Sequence, residues 1–215
     1  MNGYTLYGRA SSSNVQAAMW GCAEMGLDVT RLDYGENFAR LDTPEFRAMN
    51  PHGKIPVLGL PDGRAIWETD AILRYLAGEQ ASGAFWPSDA VARAEVDMWA
   101  TWAKIEVAEG FTVPIFWAAV RTPADRQDHA AIRAAVDKLE SELAIAEPRL
   151  GQGYLVGEAF TLADVQFGHV LYRYFDIDIE RRDLPNLRAY YERLTERPAY
   201  RPHVMLVYDE LRNTI

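Results

Sequence analysis

The segment NPHGKIPVLGLPDGRAIWETDAI, residues Asn50–Ile72, contains two short apolar runs separated by a turn sequence and followed by the start of a helix. Val57-Leu58 and Arg64–Trp67 predict two strands, and Pro61-Asp62-Gly63 between them predicts a hairpin turn. The strands of a hairpin pair antiparallel. Residues 50–72 therefore predict an antiparallel hairpin with a helix directly after it.

Pro56 immediately precedes the first of these strands. A proline has no N–H to donate to a neighbouring strand, so the peptide there must bulge or leave its edge exposed. If the Ile55-Pro56 bond is cis, the N–H and C=O of Ile55 face a groove and can pair with the backbone of an extended peptide. An ordinary trans proline at the start of a strand is the alternative.

Strand and helix patterns alternate in the residues before this segment. Tyr4–Tyr7 predicts a strand, an apolar stripe that ends at Gly26 predicts a helix, and Val29–Asp33 predicts a second strand. Thr43-Pro44 has the capping and first-turn preferences that begin a short helix. The order βαβ and then αββα implies a four-stranded mixed sheet flanked by helices, because a parallel crossover is followed by a hairpin.

Strand patterns end near residue 80, which suggests two domains. We interpret residues 1–81 as an α/β domain and residues 90–215 as an all-α helical bundle. Residues 82–89 contain Ser, Gly, Pro and Asp and are interpreted as a linker.

The second domain shows helical patterns only. A long helix is expected over about residues 90–121, with a kink or break at Pro114. The run Thr161–Tyr174 is apolar on nearly every side and predicts one helix at the centre of the bundle. Thr161 and Asp164 have the spacing of a capping box that begins this helix.

Composition and charge narrow the classes of function. With 49% hydrophobic and 25% charged residues the chain resembles globular proteins, and no apolar run is long enough to span a bilayer. The formal net charge of −9 argues against a nucleic-acid partner, since phosphate binding needs a basic surface. One cysteine excludes an internal disulfide framework and a Cys-rich metal site. The N-terminus lacks the pattern of a secretory signal, so we expect a cytoplasmic protein.

The polar cluster Ser11-Ser12-Ser13-Asn14 lies where the first strand meets the first helix. A helix N-terminus favours an anion, and a hydroxyl beside it can donate a hydrogen bond to a thiolate. A free thiol has a pKa of about 8.5, and each unit of lowering requires about 1.4 kcal/mol of extra stabilisation of the anion. Ser and Asn are also good helix caps, so a purely structural role is the alternative.

Glu68 and Thr69 form a second candidate site at the start of the helix that follows the hairpin. The N–H of Thr69 could hold a carboxylate and Glu68 could hold an ammonium group, which together suit the two ends of an α-amino acid. The alternative is a plain helix start with acidic residues in its first turn.

Taken in order, four motifs resemble those of the cytosolic glutathione transferases, over nearly the whole chain. Ser12-Ser13-Asn14-Val15 is similar to the Ser-x-Asn-Val segment of the phi class and related bacterial enzymes, whose first serine activates the thiol. Asn50–Leu58 resembles the Asn-Pro-x-Gly-x-(Val/Ile)-Pro loop with its cis-proline. Glu68–Ile72 resembles the Glu-Ser-x-Ala-Ile motif that binds the γ-glutamyl group, and Phe160–Asp164 resembles the helix start of the second domain.

The resemblance implies a thioredoxin-like first domain that binds glutathione. Ser12 would donate a hydrogen bond to the sulfur with help from Asn14, and Ser11 and Ser13 are alternatives because the alignment could slip by one residue. Cys22 lies too far along the first helix to match the cysteine-using classes and is expected to be a small buried residue.

The resemblance also implies which residues hold the rest of the tripeptide. Ile55, fixed by Pro56, would pair through its backbone with the cysteinyl unit, and Lys54 would approach the glycyl carboxylate. Glu68 and Thr69 would hold the γ-glutamyl group.

The acceptor substrate is expected in the cleft between the domains, which is a common place for ligands. Trp99, Trp102, Glu106, Val113 and Trp117 approximate one stripe of the long helix. We predict that Trp102, Glu106 and Trp117 line the acceptor pocket. The alternative places the aromatic residues in the core and Glu106 at the solvent margin.

The resemblance predicts a homodimeric enzyme that conjugates the thiolate of glutathione, its co-substrate, to small apolar electrophiles, in detoxification and without a metal. A glutathione-dependent peroxidase, disulfide reductase or isomerase is the first alternative, because a hydroxyl-stabilised thiolate serves each of these reactions. The alternative from another class is a non-catalytic ligand-binding or protein-binding member of the fold. Such proteins tend to lose the γ-glutamyl motif or the thiol-activating hydroxyl, and this chain has both.

Overall fold

The structure is a computed structural model that describes residues 3–80 and 83–215. In the first domain the elements are β1 Tyr4–Tyr7, α1 Ser13–Glu24, β2 Val29–Leu32, α2 Pro44–Met49, β3 Val57–Gly59, β4 Ala65–Trp67 and α3 Thr69–Gln80. The strands form one sheet in the order β2-β1-β3-β4, in which β1 and β2 are parallel and the other two pairs are antiparallel. The predicted thioredoxin-like sheet is therefore confirmed.

Helices α1 and α3 pack against this sheet through small and branched side chains. Val15 and Cys22 of α1 and Ile72 of α3 are almost fully buried against Leu6 of β1 and Leu58 of β3. Burial of side chains of this kind stabilises the fold by about 1.5–3 kcal/mol each. The packing fixes the N-terminus of α1 at the end of β1, where the candidate serines lie.

The opposite faces of α1 and α3 belong to the core of the helical domain. Trp20 of α1 and Leu73 of α3 are fully buried in the same hydrophobic cluster as the helices of the second domain. Glu24 accepts hydrogen bonds from the indole Nε1 of Trp20 at 2.8 Å and from Nε and Nη2 of Arg197 at 2.8 and 2.5 Å. The two domains therefore share this hydrophobic cluster, and a second cluster lies between the sheet and the other faces of α1 and α3.

The predicted boundary between the domains falls at Ala81 and Ser82, which lie outside the described residues. The first helix of the second domain, α4 Ala90–Trp102, begins after Asp89, whose carboxylate caps it by accepting hydrogen bonds from the N–H groups of Val91 and Ala92. The division into residues 1–81, 82–89 and 90–215 stays a prediction.

Helix α4 continues into two stretches of wider, π-helical turns. These stretches are Ala103–Ala108 and Thr112–Arg121, with the short α-helical turn α5 Glu109–Phe111 between them. Pro114 lies inside the second stretch, so the chain accommodates the proline in the wider turns and the helix does not end there. The helical path ends at Thr122, close to the predicted end at residue 121.

The remaining helices are α6 His129–Leu150, α7 Leu162–Gly168, α8 Leu171–Asp176, α9 Pro185–Thr195 and α10 Tyr200–Val204. The prediction of a single helix over 161–174 is wrong, because α7 ends at Gly168 and α8 begins at Leu171. The hydroxyl of Tyr200 donates to the C=O of Gly168 at 2.9 Å, and this occupies a carbonyl that a continuous helix would use for the N–H of Tyr172.

The start of α7 is held by one buried carboxylate. Asp164 accepts hydrogen bonds from the N–H of Thr161 at 2.8 Å, the Oγ1 of Thr161 at 2.9 Å, the N–H of Leu155 at 2.9 Å and the hydroxyl of Tyr190 at 2.9 Å. The predicted structural role of this motif is confirmed. Within the described ranges, no helix combines the length and apolarity needed to cross a bilayer.

Candidate functional site

A cavity of about 750 Å³ lies between the two domains, within the size range of about 300–1,000 Å³ that is usual for ligand clefts. Its lining includes both residues with a predicted catalytic role, Ser12 and Asn14. It also includes the residues with a predicted role in glutathione binding, which are Lys54, Ile55, Pro56, Glu68 and Thr69. Three separate stretches of sequence therefore meet in one site.

Ser12 occupies the cap position of α1, but its hydroxyl makes no hydrogen bond to the helix N–H groups of the described chain. The purely structural reading of this serine as a side-chain cap is therefore not supported. Ser11 is 5% exposed and Ser13 is 7% exposed, whereas Ser12 is only half-buried. All three serines line the cavity, and Ser12 is the most exposed of them.

Asn14 connects the first domain to a cation of the second. Its Oδ1 accepts a hydrogen bond from the Nζ of Lys104 at 3.0 Å, and Lys104 lies on the first π-helical stretch. This contact adds a positive charge beside the N-terminus of α1, where the helix dipole already favours an anion. No local sequence pattern points to Lys104, because its partner lies 90 residues away in the chain.

The loop before β3 has the cis peptide at Ile55-Pro56. Asn50, only 2% exposed, braces this loop: its Nδ2 donates to the C=O of Lys54 at 2.8 Å, and its Oδ1 accepts from the N–H of His52 at 3.0 Å. No backbone group of the described residues bonds to the N–H or the C=O of Ile55. The alternative of a trans proline is wrong, and Ile55 has a free donor and acceptor beside the cavity.

Glu68 stands at the turn between β4 and α3 in a left-handed conformation, with φ +70°. This conformation costs a residue with a side chain about 1–2 kcal/mol. Thr69, 1% exposed, begins α3, and the carboxylate of Asp70 accepts a hydrogen bond from Gln166 of α7 at 2.6 Å. The strained turn presents the exposed carboxylate of Glu68 at the cavity rim, next to the helix N-terminus.

An arginine cluster, defined as Arg9, Arg121 and Arg173, also lines the cavity and contains none of the predicted site residues. Nη2 of Arg9 and Nη2 of Arg121 lie 3.2 and 3.1 Å from the same oxygen, Oε1 of Glu36. Nη2 of Arg173 donates to the C=O of Ser11 at 2.6 Å, directly beside Ser12. These residues lie far apart in the sequence and belong to no local motif, so the sequence gives no signal that they share one site.

The cavity is electropositive although the chain is acidic. Five cationic side chains and three anionic side chains line it, in a chain whose formal net charge is −9. Such a lining suits a ligand with more negative than positive charges. Among the described residues no group of three or more His, Cys, Asp and Glu side chains is arranged to hold a metal ion.

The predicted acceptor residues do not lie together. Trp117 and Val113 line the cavity, but Trp102 and Glu106 line a separate depression on the outer side of α4. The indole Nε1 of Trp102 donates to Glu142 of α6 at 3.2 Å. The predicted stripe assumes a regular α-helix with 3.6 residues per turn. The π-helical turns from residue 103 onward have more residues per turn, so side chains before and after them no longer lie on one face. Trp102 and Glu106 therefore do not line the cavity that contains Ser12.

Comparisons with known proteins agree with this architecture. The chain matches the family model for the glutathione S-transferase N-terminal domain over residues 11–79 and the model for the C-terminal domain over residues 109–198. It is 32% identical over 204 residues, 94% of this chain and 98% of that protein, to glutathione S-transferase GstB of Escherichia coli strain K12.

Among solved structures, it resembles the theta class glutathione S-transferase from the citrus canker pathogen Xanthomonas axonopodis pv. citri with glutathione bound. The TM-score is 0.89, with 40% identity over 96% of this chain and 99% of that chain. A more distant relative is elongation factor 1-gamma 2 of Oryza sativa subsp. japonica, 26% identical over 91% of this chain and 47% of that protein.

Proposed function

This chain belongs to the glutathione S-transferase family, and we propose that it joins the thiolate of glutathione to the electrophilic carbon of small, mostly apolar acceptors. The chain is a transferase that uses glutathione as co-substrate. The observation that carries the finer proposal is the uncommitted hydroxyl of Ser12 at the N-terminus of α1, beside the cis Ile55-Pro56 peptide.

The proposed pose of glutathione follows from the free polar groups of the cavity. The N–H and C=O of Ile55 pair with the cysteinyl backbone in the manner of an added strand. Glu68 holds the ammonium group of the γ-glutamyl end, and the N–H of Thr69 holds its carboxylate. Lys54, which is exposed, approaches the glycyl carboxylate. This pose places the sulfur at Ser12.

In this proposal Ser12 donates its O–H to the sulfur and so stabilises the thiolate over the thiol. The dipole of α1 and the Lys104 ammonium on Asn14 act in the same direction. The thiol proton leaves to water. The sulfur then forms a bond to the electrophilic carbon as the leaving group departs with its bonding electron pair, while both reactants stay close together in one cavity.

The test uses Ser12→Ala, with Ser11→Ala and Ser13→Ala as the alternative choices and Ser141→Ala on α6 as the matched control. Turnover is measured with 1-chloro-2,4-dinitrobenzene, and the pKa of bound glutathione is measured from thiolate absorbance. We expect Ser12→Ala to raise the thiol pKa by about one unit and to lower kcat/KM at least about tenfold, since one charge-assisted hydrogen bond is worth about 1.5–3 kcal/mol. Full activity of Ser12→Ala would overturn the assignment.

The same assay separates conjugation from its alternatives. An S-conjugate detected by mass spectrometry supports conjugation. Oxidised glutathione formed from a hydroperoxide or a disulfide, without any conjugate from a panel of electrophiles, would instead support the peroxidase or reductase. No turnover of any kind by a protein that binds glutathione would support the non-catalytic alternative.

The proposal also includes a homodimer in the cytoplasm with a detoxifying role, as the family resemblance implies. Val91, Met98 and Ile105 support the dimer, because they recur every seven residues along α4 and the following turn and are 79%, 65% and 54% exposed. Large exposed apolar patches are typical of protein interfaces. Met98→Glu is expected to convert a dimer into monomers in analytical ultracentrifugation, and a wild-type protein that sediments as a monomer would refute the dimer.

A further inference from the structure

The arginine cluster has more positive charge than its neighbours neutralise. The side chains of Arg9 and Arg121 are 12% and 5% exposed, and both form an ion pair with the same carboxylate oxygen of Glu36. Arg121 uses its Nε to donate to the Oγ1 of Thr214 at 2.9 Å, which is a neutral partner. Two guanidinium groups therefore share one carboxylate, whose own side chain is 39% exposed, and the third, that of Arg173, does not contact it.

Arg173 is the most isolated of the three charges. It is 3% exposed, and its guanidinium contacts the C=O of Ser11 and lies 4.6 and 5.4 Å from the ring centres of Phe116 and Tyr208. None of these partners is a carboxylate, and its Nε is buried without a hydrogen-bond partner in the described structure. Burial, and then the nearby positive charges of Arg9 and Arg121, lower the pKa of Arg173 to about 10.

A buried cation without a counter-charge is unfavourable, so an anion brought into this cavity would be bound strongly. The tripeptide does not need the arginine cluster in the proposed pose, because Lys54 and the N-terminus of α3 already face its two carboxylates. The cluster lies instead beside Trp117 and Val113, the two predicted acceptor residues that do line the cavity.

We propose that Arg9, Arg121 and Arg173 form an anion subsite at the acceptor end of the cavity, so that the preferred electrophile has an apolar body and an acid group, such as a carboxylate or a sulfonate. The apolar body lies against Trp117 and Val113, and the acid group takes the place of the missing counter-charge. This inference rests on the proposed function and narrows its acceptor to apolar electrophiles that contain an acid group.

The first experiment compares two matched acceptors, 4-chloro-3,5-dinitrobenzoate and its methyl ester. In both, the sulfur forms a bond to the carbon that holds chlorine, and chloride leaves with the bonding pair. Each kcat/KM is divided by the rate constant of the uncatalysed reaction with glutathione, which removes the difference in intrinsic reactivity. The ratio of the two corrected values, acid over ester, is the selectivity.

Three variants change the charge at or away from the subsite. Arg121→Gln is expected to lower the selectivity about tenfold, since one charge-assisted hydrogen bond is lost. Glu36→Gln removes the carboxylate that competes with the acid group of the acceptor, and this variant is expected to raise the selectivity several-fold. Arg133→Gln on the exposed face of α6 makes the same change in net charge and is the control, with wild-type selectivity expected. Equal selectivity in all four proteins would overturn the subsite.

A binding measurement tests the anion subsite even if the protein turns over neither acceptor. Naphthalene-2-sulfonate is titrated by calorimetry into wild type and Arg121→Gln, with and without saturating S-methylglutathione. Binding that weakens about tenfold in Arg121→Gln and persists with S-methylglutathione supports the subsite, even if no acceptor is turned over and the transferase proposal falls. Displacement of the sulfonate by S-methylglutathione would show that the arginines hold glutathione itself, and would overturn the inference.

Discussion

His169, which lies between α7 and α8, is expected to make the stability of the protein depend on pH. Its ring is 1% exposed, and its Nδ1 lies 3.3 Å from the C=O of Val165 and donates to it. Its Nε2 is buried without a partner among the described residues. A second proton on Nε2 would find no acceptor, and the charges of Lys104 and Arg173 lie nearby. Burial, and then the charge of Lys104, lower the pKa of His169 to about 3.

The sign of the effect follows from the two states. In the unfolded chain histidine has a pKa of about 6.5, so below that pH the unfolded chain binds a proton that the folded protein excludes. The stabilising contribution is therefore complete above about pH 6.5 and is lost as the pH falls towards 3. With a slope of about 1.4 kcal/mol per pH unit, the loss between about pH 7.5 and about pH 5 amounts to about 2 kcal/mol.

The assay is urea denaturation of wild type and His169→Gln at these two pH values. Other groups titrate as well, so the informative quantity is the difference between the two proteins in their pH-dependent loss of the free energy of unfolding. We expect His169→Gln to lose about 2 kcal/mol less than wild type. His129→Gln, at an exposed histidine on α6, is the control and should behave as wild type. An identical pH dependence in wild type and His169→Gln would refute the reasoning.

Three further substitutions or treatments test the packing of the two domains away from the cavity. Asp164→Ala leaves four buried donors without their acceptor and should lower the free energy of unfolding by about 4 kcal/mol in urea, whereas a loss below about 1 kcal/mol would contradict the role of this carboxylate. Gly168→Ala places a Cβ 2.5 Å from Cδ1 of Leu194 and should cost about 2 kcal/mol in the same assay; an unchanged midpoint would refute this. Cys22, 1% exposed and with its pKa raised to about 12 by burial, should resist iodoacetamide in the native protein and react in urea, and rapid native labelling would contradict its burial.

The features that sequence predicted well are those encoded over short distances. The hairpin before α3, the helix starts at Thr43 and Thr161, and the βαβ order each depend on residues a few positions apart. These features follow from turn chemistry and alternation, which tertiary packing has no reason to override. The cis form of Ile55-Pro56 follows only from the family resemblance, because the residues alone leave the cis and trans forms open.

The features that sequence missed depend on contacts between distant residues or on a change of helical period. Arg9, Arg121 and Arg173 meet only because three segments converge on one cavity. At the break after α7, the C=O of Gly168 accepts a hydrogen bond from the hydroxyl of Tyr200, 32 residues later in the chain. The predicted stripe from Trp102 to Trp117 does not hold because wider turns lie between them, and no sequence propensity predicts such turns.

The shared core also bears on how ligands enter and leave. Rotating the first domain away from the helical domain would expose Trp20 and Leu73 to water and break the Glu24–Arg197 ion pair. Opening by rigid-body hinge motion would therefore be unfavourable, so substrates are expected to enter and leave without a large separation of the two domains. For the same reason a protease that cuts the chain between Gln80 and Ala90 would release no halves, and the nicked protein would still melt in one transition.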